Sequence, residues 1–140
     1  RITAVTTNKG DLTADRYVLS LGSYSSVLLA KLGLNVPIYP MKGYSVTLPA
    51  NTFSPKMSLT DQQAKIVYSR FGDKLRVAGT AEFAGYNDSL SEKRVAAILR
   101  AVKGLLPKVV PDDASTITQW ACLRPSTPDG PPLIGTTPYS

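Results

Sequence analysis

Hydrophobic and polar positions change period several times along the chain, and each change predicts an element. Near the N-terminus, Asn8-Lys9-Gly10-Asp11 separates two alternating runs, the pattern of a turn between short strands. Residues 17–21 form a short apolar run that predicts a further strand ending at Gly22. Residues 23–33 then read as a helix, with Ser23 or Ser25 placed to cap its start and Gly33 where a helix would stop. A strand, a Gly-Ser turn and a helix make either an ordinary corner or a turn whose amides face a phosphate or carboxylate. The residues alone leave both readings open.

The middle of the chain changes to strand periodicity. Pro37 and Pro40 make residues 36–40 an edge or linker, because proline cannot donate to a sheet ladder. Residues 44–48 predict a strand beginning after Gly43, and residues 50–57 a loop. Two strand-like runs, 65–71 and 74–83, flank Gly72-Asp73 and predict a β-hairpin with a short turn. Alternation puts Ile66 and Tyr68 on one face and Val67 on the other, so one of the two faces is free to line a cavity. Residues 89–107 carry the clearest helical pattern. Val95, Ile98, Leu99, Val102 and Leu106 recur at helical spacing, and Lys93, Arg94, Arg100 and Lys103 take the other side. Ser89 and Glu92 have capping-box spacing, while Gly104 and Pro107 mark the end. The apolar stripe is expected to cover a sheet and the basic side to be solvated. A last strand, residues 115–123, leads into a stiff segment rich in proline and glycine.

Composition narrows the chemistry. The chain has 140 residues, enough for one domain with its own core, and 43% apolar content typical of globular proteins. It contains one cysteine, Cys122, and no histidine. That excludes a disulfide framework, the usual zinc sites and any Ser-His or Cys-His dyad. No metal site is expected. No apolar run is long enough to span a membrane. The net charge is +6, but no run of Lys and Arg exceeds two and aromatics are not interleaved, which argues against nucleic acid. The chain opens at Arg1 with neither an initiator methionine nor a signal-peptide pattern and reads as a piece of a longer or processed protein.

Arg124 is the candidate with chemistry. It follows an apolar strand and precedes Pro125, which biases it toward extended backbone and fixes the next turn. A guanidinium held so is preorganised to grip a carboxylate or phosphate with two parallel hydrogen bonds. Spacing alone equally allows an ion pair within the chain, with Asp129 for example.

Three stretches carry a resemblance: residues 14–49, "LRVAGTAEFAGY" and "WACLRPSTPDGPPLIGTTPY". In this order they are similar to the flavin-dependent amine oxidoreductases that include D-amino-acid oxidase and glycine oxidase, most of all to the C-terminal half of bacterial D-amino acid dehydrogenase small subunits. The resemblance implies an α+β fold. It makes residues 41–119 part of a substrate domain with mostly antiparallel sheet covered by helices. Residues 1–40 and 120–140 would be pieces of a Rossmann-like FAD-binding domain, an edge and a return segment. It implies oxidation of a D-amino acid to an imino acid, with the α-hydrogen leaving as hydride to FAD and the imine hydrolysing to a 2-oxo acid and ammonia. A related amine oxidase or dehydrogenase acting on glycine, sarcosine or proline is the alternative within the family, and a non-catalytic module binding a carboxylate or phosphate the alternative outside it. Arg124 matches the arginine that holds the substrate carboxylate, although Cys122 stands where relatives often have glycine. Tyr68 matches a carboxylate-binding tyrosine less closely. Gly22 and Ser23, with Asp129, Gly130 and Gly135, match positions near the flavin. Electrons would pass to a respiratory-chain acceptor, with peripheral contact at the cytoplasmic face of the inner membrane. The dinucleotide fingerprint Gly-x-Gly-x-x-Gly is absent, so the chain by itself is expected to bind no FAD and to be inactive.

Overall fold

The computed structural model describes residues 2–137. The fold is α+β, and the chain divides into two compact units, Arg1–Ile38 with Pro125–Ser140, and Tyr39–Arg124.

In the first unit, β1 (Val5–Thr7) and β2 (Gly10–Leu12) form an antiparallel hairpin. Residues 17–21 are not a strand. They run as irregular backbone into a 3-10 turn, Gly22–Tyr24, and helix α1 (Ser25–Lys31). With no strand partner, the apolar run has no ladder to join, and Val18 is almost fully exposed. The hydroxyl of Ser25 accepts from the Leu21 amide, closing the turn ahead of the helix.

The second unit is built on a five-stranded sheet in the order β4-β5-β6-β3-β7. Its strands are β3 (Tyr39–Pro49), β4 (Leu59–Asp61), β5 (Ile66–Phe71), β6 (Lys74–Phe83) and β7 (Thr118–Ser126). β3 pairs antiparallel with β6, β6 with β5, and β5 with β4. Phe71 faces Lys74 across a two-residue turn, Gly72-Asp73. Gly72 has φ +61°, a conformation open to glycine and strained for other residues, so the predicted hairpin closes where the sequence allows it. β3 begins earlier than its apolar pattern suggests, because its first residues pair with the end of β6: Met41 with Phe83 and Lys42 with Glu82. A register shift between Gly43 and Tyr44 leaves Thr80 of β6 as the extra residue, at φ +59°.

Helix α2 (Glu92–Leu105) covers one face of the sheet, packing on β3 and β6. Its N-cap is Ser91 and not Ser89, and no capping box forms. The Ser89 amide instead donates to the Asn87 side chain in a local turn. Gly104 lies inside the helix, and Pro107 opens a 3-10 turn, Pro107–Val109. The apolar stripe falls where its spacing placed it. Val95, Ile98 and Val102 are buried against Tyr44, Val46, Leu48, Ile66, Tyr68, Leu75 and Val77, and Leu99 and Leu106 pack at the margin. Each of these strand residues alternates with one on the uncovered face, where the site lies.

Candidate functional site

The period-two alternation of strands sorts the sheet into two chemical faces. Toward α2, β3 sends Tyr44, Val46 and Leu48, β5 sends Ile66 and Tyr68, and β6 sends Leu75 and Val77. The opposite set, joined by Tyr44 beside the register shift, lines a cavity of about 230 Å3: Gly43 and Ser45, Val67, Ser69 and Phe71, Arg76 and Ala78, Trp120, Cys122 and Arg124. Four strands therefore contribute to one concave surface, and it contains two arginines and no carboxylate.

Arg124 stands at the end of β7 over Gly43. A Cβ built on Gly43 would come within 3.1 Å of the Arg124 Nε, a distance at which one of the two must give way. Glycine at 43 thus leaves room for the guanidinium to lie close to the sheet. Among the described residues Arg124 has no ion pair and no side-chain hydrogen bond, and the two ion pairs among them converge elsewhere, on Glu82. Asp129 is exposed and is not its partner. Its five donors are available to a ligand.

The second arginine escaped the sequence reading. Arg76 alternates with Leu75 and Val77, so its outward direction was legible. What the sequence did not reveal is that β7 lies beside β3 and brings Trp120 to it. The Arg76 Cζ lies 4.9 Å from the centre of the Trp120 ring, a cation–π contact, and its Nη2 reaches the Ser45 Oγ at 3.5 Å, the outer limit of a hydrogen bond.

Tyr68 is not brought to Arg124. It is fully buried on the α2 face, between Val67 and Ser69, which point the other way into the cavity. Its hydroxyl has no hydrogen-bond partner. Burial pushes its pKa up from 10.0, and the nearby Asp61 carboxylate adds to the rise. The same alternation that put Ile66 and Tyr68 together fixes this, because Ile66 belongs to the core.

A polar cluster sits at the edge of the α2 face. Lys42, nearly fully buried, lies 3.9 Å from the Glu82 carboxylate, and Arg94 of α2 lies 3.2 Å from the same oxygen. The Tyr44 hydroxyl donates to it as well. That hydrogen bond chiefly, and then the charges of Arg94 and Lys42, hold the Glu82 pKa below its ordinary value against some desolvation. The cluster satisfies a buried lysine and fixes the end of β6.

The remaining predicted residues lie in the other unit. Gly22, at φ +56°, opens the 3-10 turn, and a Cβ there would meet the Pro125 Cγ at 3.9 Å. Ser23 is buried, so its hydroxyl is not offered to the surface. Asp129 and Gly130 form an exposed turn closed by the Gly130 amide on the Thr127 carbonyl, and Gly135 is exposed. A flavin dinucleotide needs converging amides for its pyrophosphate. These residues, an engaged corner and an exposed turn, do not make that cradle among the described residues. No cluster of metal-ligating side chains occurs among them either.

The family model described as FAD dependent oxidoreductase matches residues 1–140. The chain belongs to that family. It is 46% identical over 140 residues to the D-amino acid dehydrogenase of Vibrio vulnificus (strain CMCP6), and 44% identical over 142 residues to that of Bradyrhizobium diazoefficiens. The alignments cover 99% and 100% of this chain and 33% of each relative, so the chain spans about a third of the length of the curated relatives it matches. Among solved structures, it is similar to glycine oxidase from Geobacillus kaustophilus, with a TM-score of 0.81 at 24% identity over 97% of this chain and 36% of that one. L-Proline dehydrogenase from P. horikoshii matches with a TM-score of 0.75 at 17% identity, over 96% and 37%. At such identities the likeness is one of fold, and it agrees with the α+β architecture.

Proposed function

We propose that the whole protein is an FAD-dependent dehydrogenase that oxidises D-amino acids to 2-oxo acids and ammonia, and that this chain supplies the surface that holds the substrate carboxylate. The observation that carries the reading is Arg124, an unpaired guanidinium over Gly43 in a cavity without a carboxylate. Family membership and relatives named D-amino acid dehydrogenase support the reaction class. The cavity's volume suits a small amino acid better than a large ligand. Arg124 binds and orients the carboxylate, Gly43 gives it room, and Val67, Phe71 and Ala78 supply apolar contact. FAD supplies the oxidising capacity in the whole protein, and the chain's own part is orientation.

In this reading the Tyr39–Arg124 unit is the substrate domain, and the unit formed by Arg1–Ile38 and Pro125–Ser140 belongs to the FAD domain, with Gly22, Ser23, Asp129, Gly130 and Gly135 near the flavin. The electrons leave to a respiratory-chain acceptor at the cytoplasmic face of the inner membrane. The net charge of +6 supports a peripheral contact there with anionic lipid. No described helix is long and apolar enough to cross a membrane. The test is anaerobic mixing of the full-length protein with D-alanine. The flavin absorption band should bleach with D-alanine and not with L-alanine. A full-length protein without a flavin band, or one bleached equally by both enantiomers, would contradict the assignment.

A further inference from the structure

The cavity carries one more cation than a simple amino acid needs. Arg76 and Arg124 both line it, no acidic residue lines it, and Arg76 has no ion pair among the described residues. Its neighbours are the face of Trp120 and the Ser45 hydroxyl at the limit of hydrogen bonding. Stacking on a half-exposed tryptophan holds the guanidinium plane without consuming its donors.

The β3 residues beside the two cations lie two positions apart. Arg124 lies over Gly43 and Arg76 reaches Ser45, two residues further along the same face of β3. Same-face neighbours on a strand are about 6.6 Å apart. A dicarboxylic amino acid of glutamate's length can place one carboxylate at each. An uncharged side chain would leave Arg76 facing the cavity without a counter-charge.

We propose that Arg76, stacked on Trp120, forms a second anion-binding subsite that selects D-amino acids whose side chain carries a carboxylate. This rests on the assignment of the α-carboxylate to Arg124. Arg124 takes the α-carboxylate, Arg76 takes the side-chain carboxylate, and Ser45 and Ser69 line the wall between β3 and β5.

The test compares kcat/KM for D-glutamate and D-norvaline in the full-length protein and in Arg76→Met. The ratio of the two should favour D-glutamate in the unsubstituted protein and fall by on the order of tenfold or more in the variant, the scale of a lost charge-assisted hydrogen bond. Arg76→Lys should recover part of the ratio, since it keeps the charge but not the fork. An unchanged ratio in Arg76→Met overturns the subsite, as does a ratio that falls no less in Arg76→Lys. A full-length protein that oxidises no D-amino acid overturns the function proposed above instead. The subsite is then decided by the fluorescence of Trp120 in the full-length protein, taken as the difference from Trp120→Phe. Glutarate should change it saturably where propionate does not, and Arg76→Met should abolish the response. Equal responses to both acids, or an unaltered response in the variant, would overturn the subsite on this measurement.

Discussion

Two residues of the α2 face separate structural from functional roles. The Tyr68 hydroxyl is buried without a partner, and leaving it so costs on the order of 1–3 kcal/mol. Tyr68→Phe is therefore expected to raise stability by about 1 kcal/mol in denaturant unfolding and to leave the KM for D-alanine unchanged. A marked rise in KM would instead place the hydroxyl at the substrate. The sign of its pH dependence follows from its raised pKa. Burial penalises the ionised phenol, so stability is unaffected by this group below its unfolded value of 10.0 and falls as pH rises from there through the folded value. The phenylalanine variant should lack this alkaline component. Glu82 behaves oppositely. Its pKa is lowered, so its contribution is present above the ordinary value of 4.5 and disappears as pH falls through the folded value. Glu82→Gln should destabilise the protein near neutral pH, where Lys42 is left buried beside a neutral amide, and should flatten the acid limb of the stability profile. An unaltered acid limb would remove Glu82 from that limb.

Elements with a strong periodic signal were legible. The stripe of α2 and the hairpin around Gly72 needed only local pattern and turn chemistry, and both formed. Elements set by distant pairing were not. The apolar run at residues 17–21 looks like a strand but finds no partner, while the short β4 has little pattern and exists because β5 offers it an edge. The helix start was misplaced because Ser89 bonds locally, which leaves Ser91 at the cap. Ile98 tests the packing of the element that was read correctly. It is fully buried, so Ile98→Asp is expected to cost more than about 4 kcal/mol and to abolish cooperative thermal unfolding. A soluble variant that melts cooperatively near the original Tm would mean that another face of α2 is inward.

At the scale of the whole molecule, the site was only half visible in the sequence. Arg124 stood out through Pro125 and a resemblance to known carboxylate-binding arginines. Arg76, Ser45 and Trp120 did not, because only the β6-β3-β7 order brings them to one cavity. Tyr68 was placed by resemblance on one side and by alternation on the other, and alternation decided its location. The dinucleotide fingerprint is absent from the chain. Purified alone, the 140-residue chain should show no stoichiometric flavin absorbance; a yellow preparation would reveal a cofactor site elsewhere in it. The central claim is that the Arg124 guanidinium holds the substrate carboxylate, and steady-state kinetics of the full-length protein with D-alanine tests it most directly. Arg124→Ala should lower kcat/KM by a factor on the order of 10² or more, with a raised KM, and Arg124→Lys should recover only part of the loss. Unaltered kcat/KM in Arg124→Ala would contradict the account.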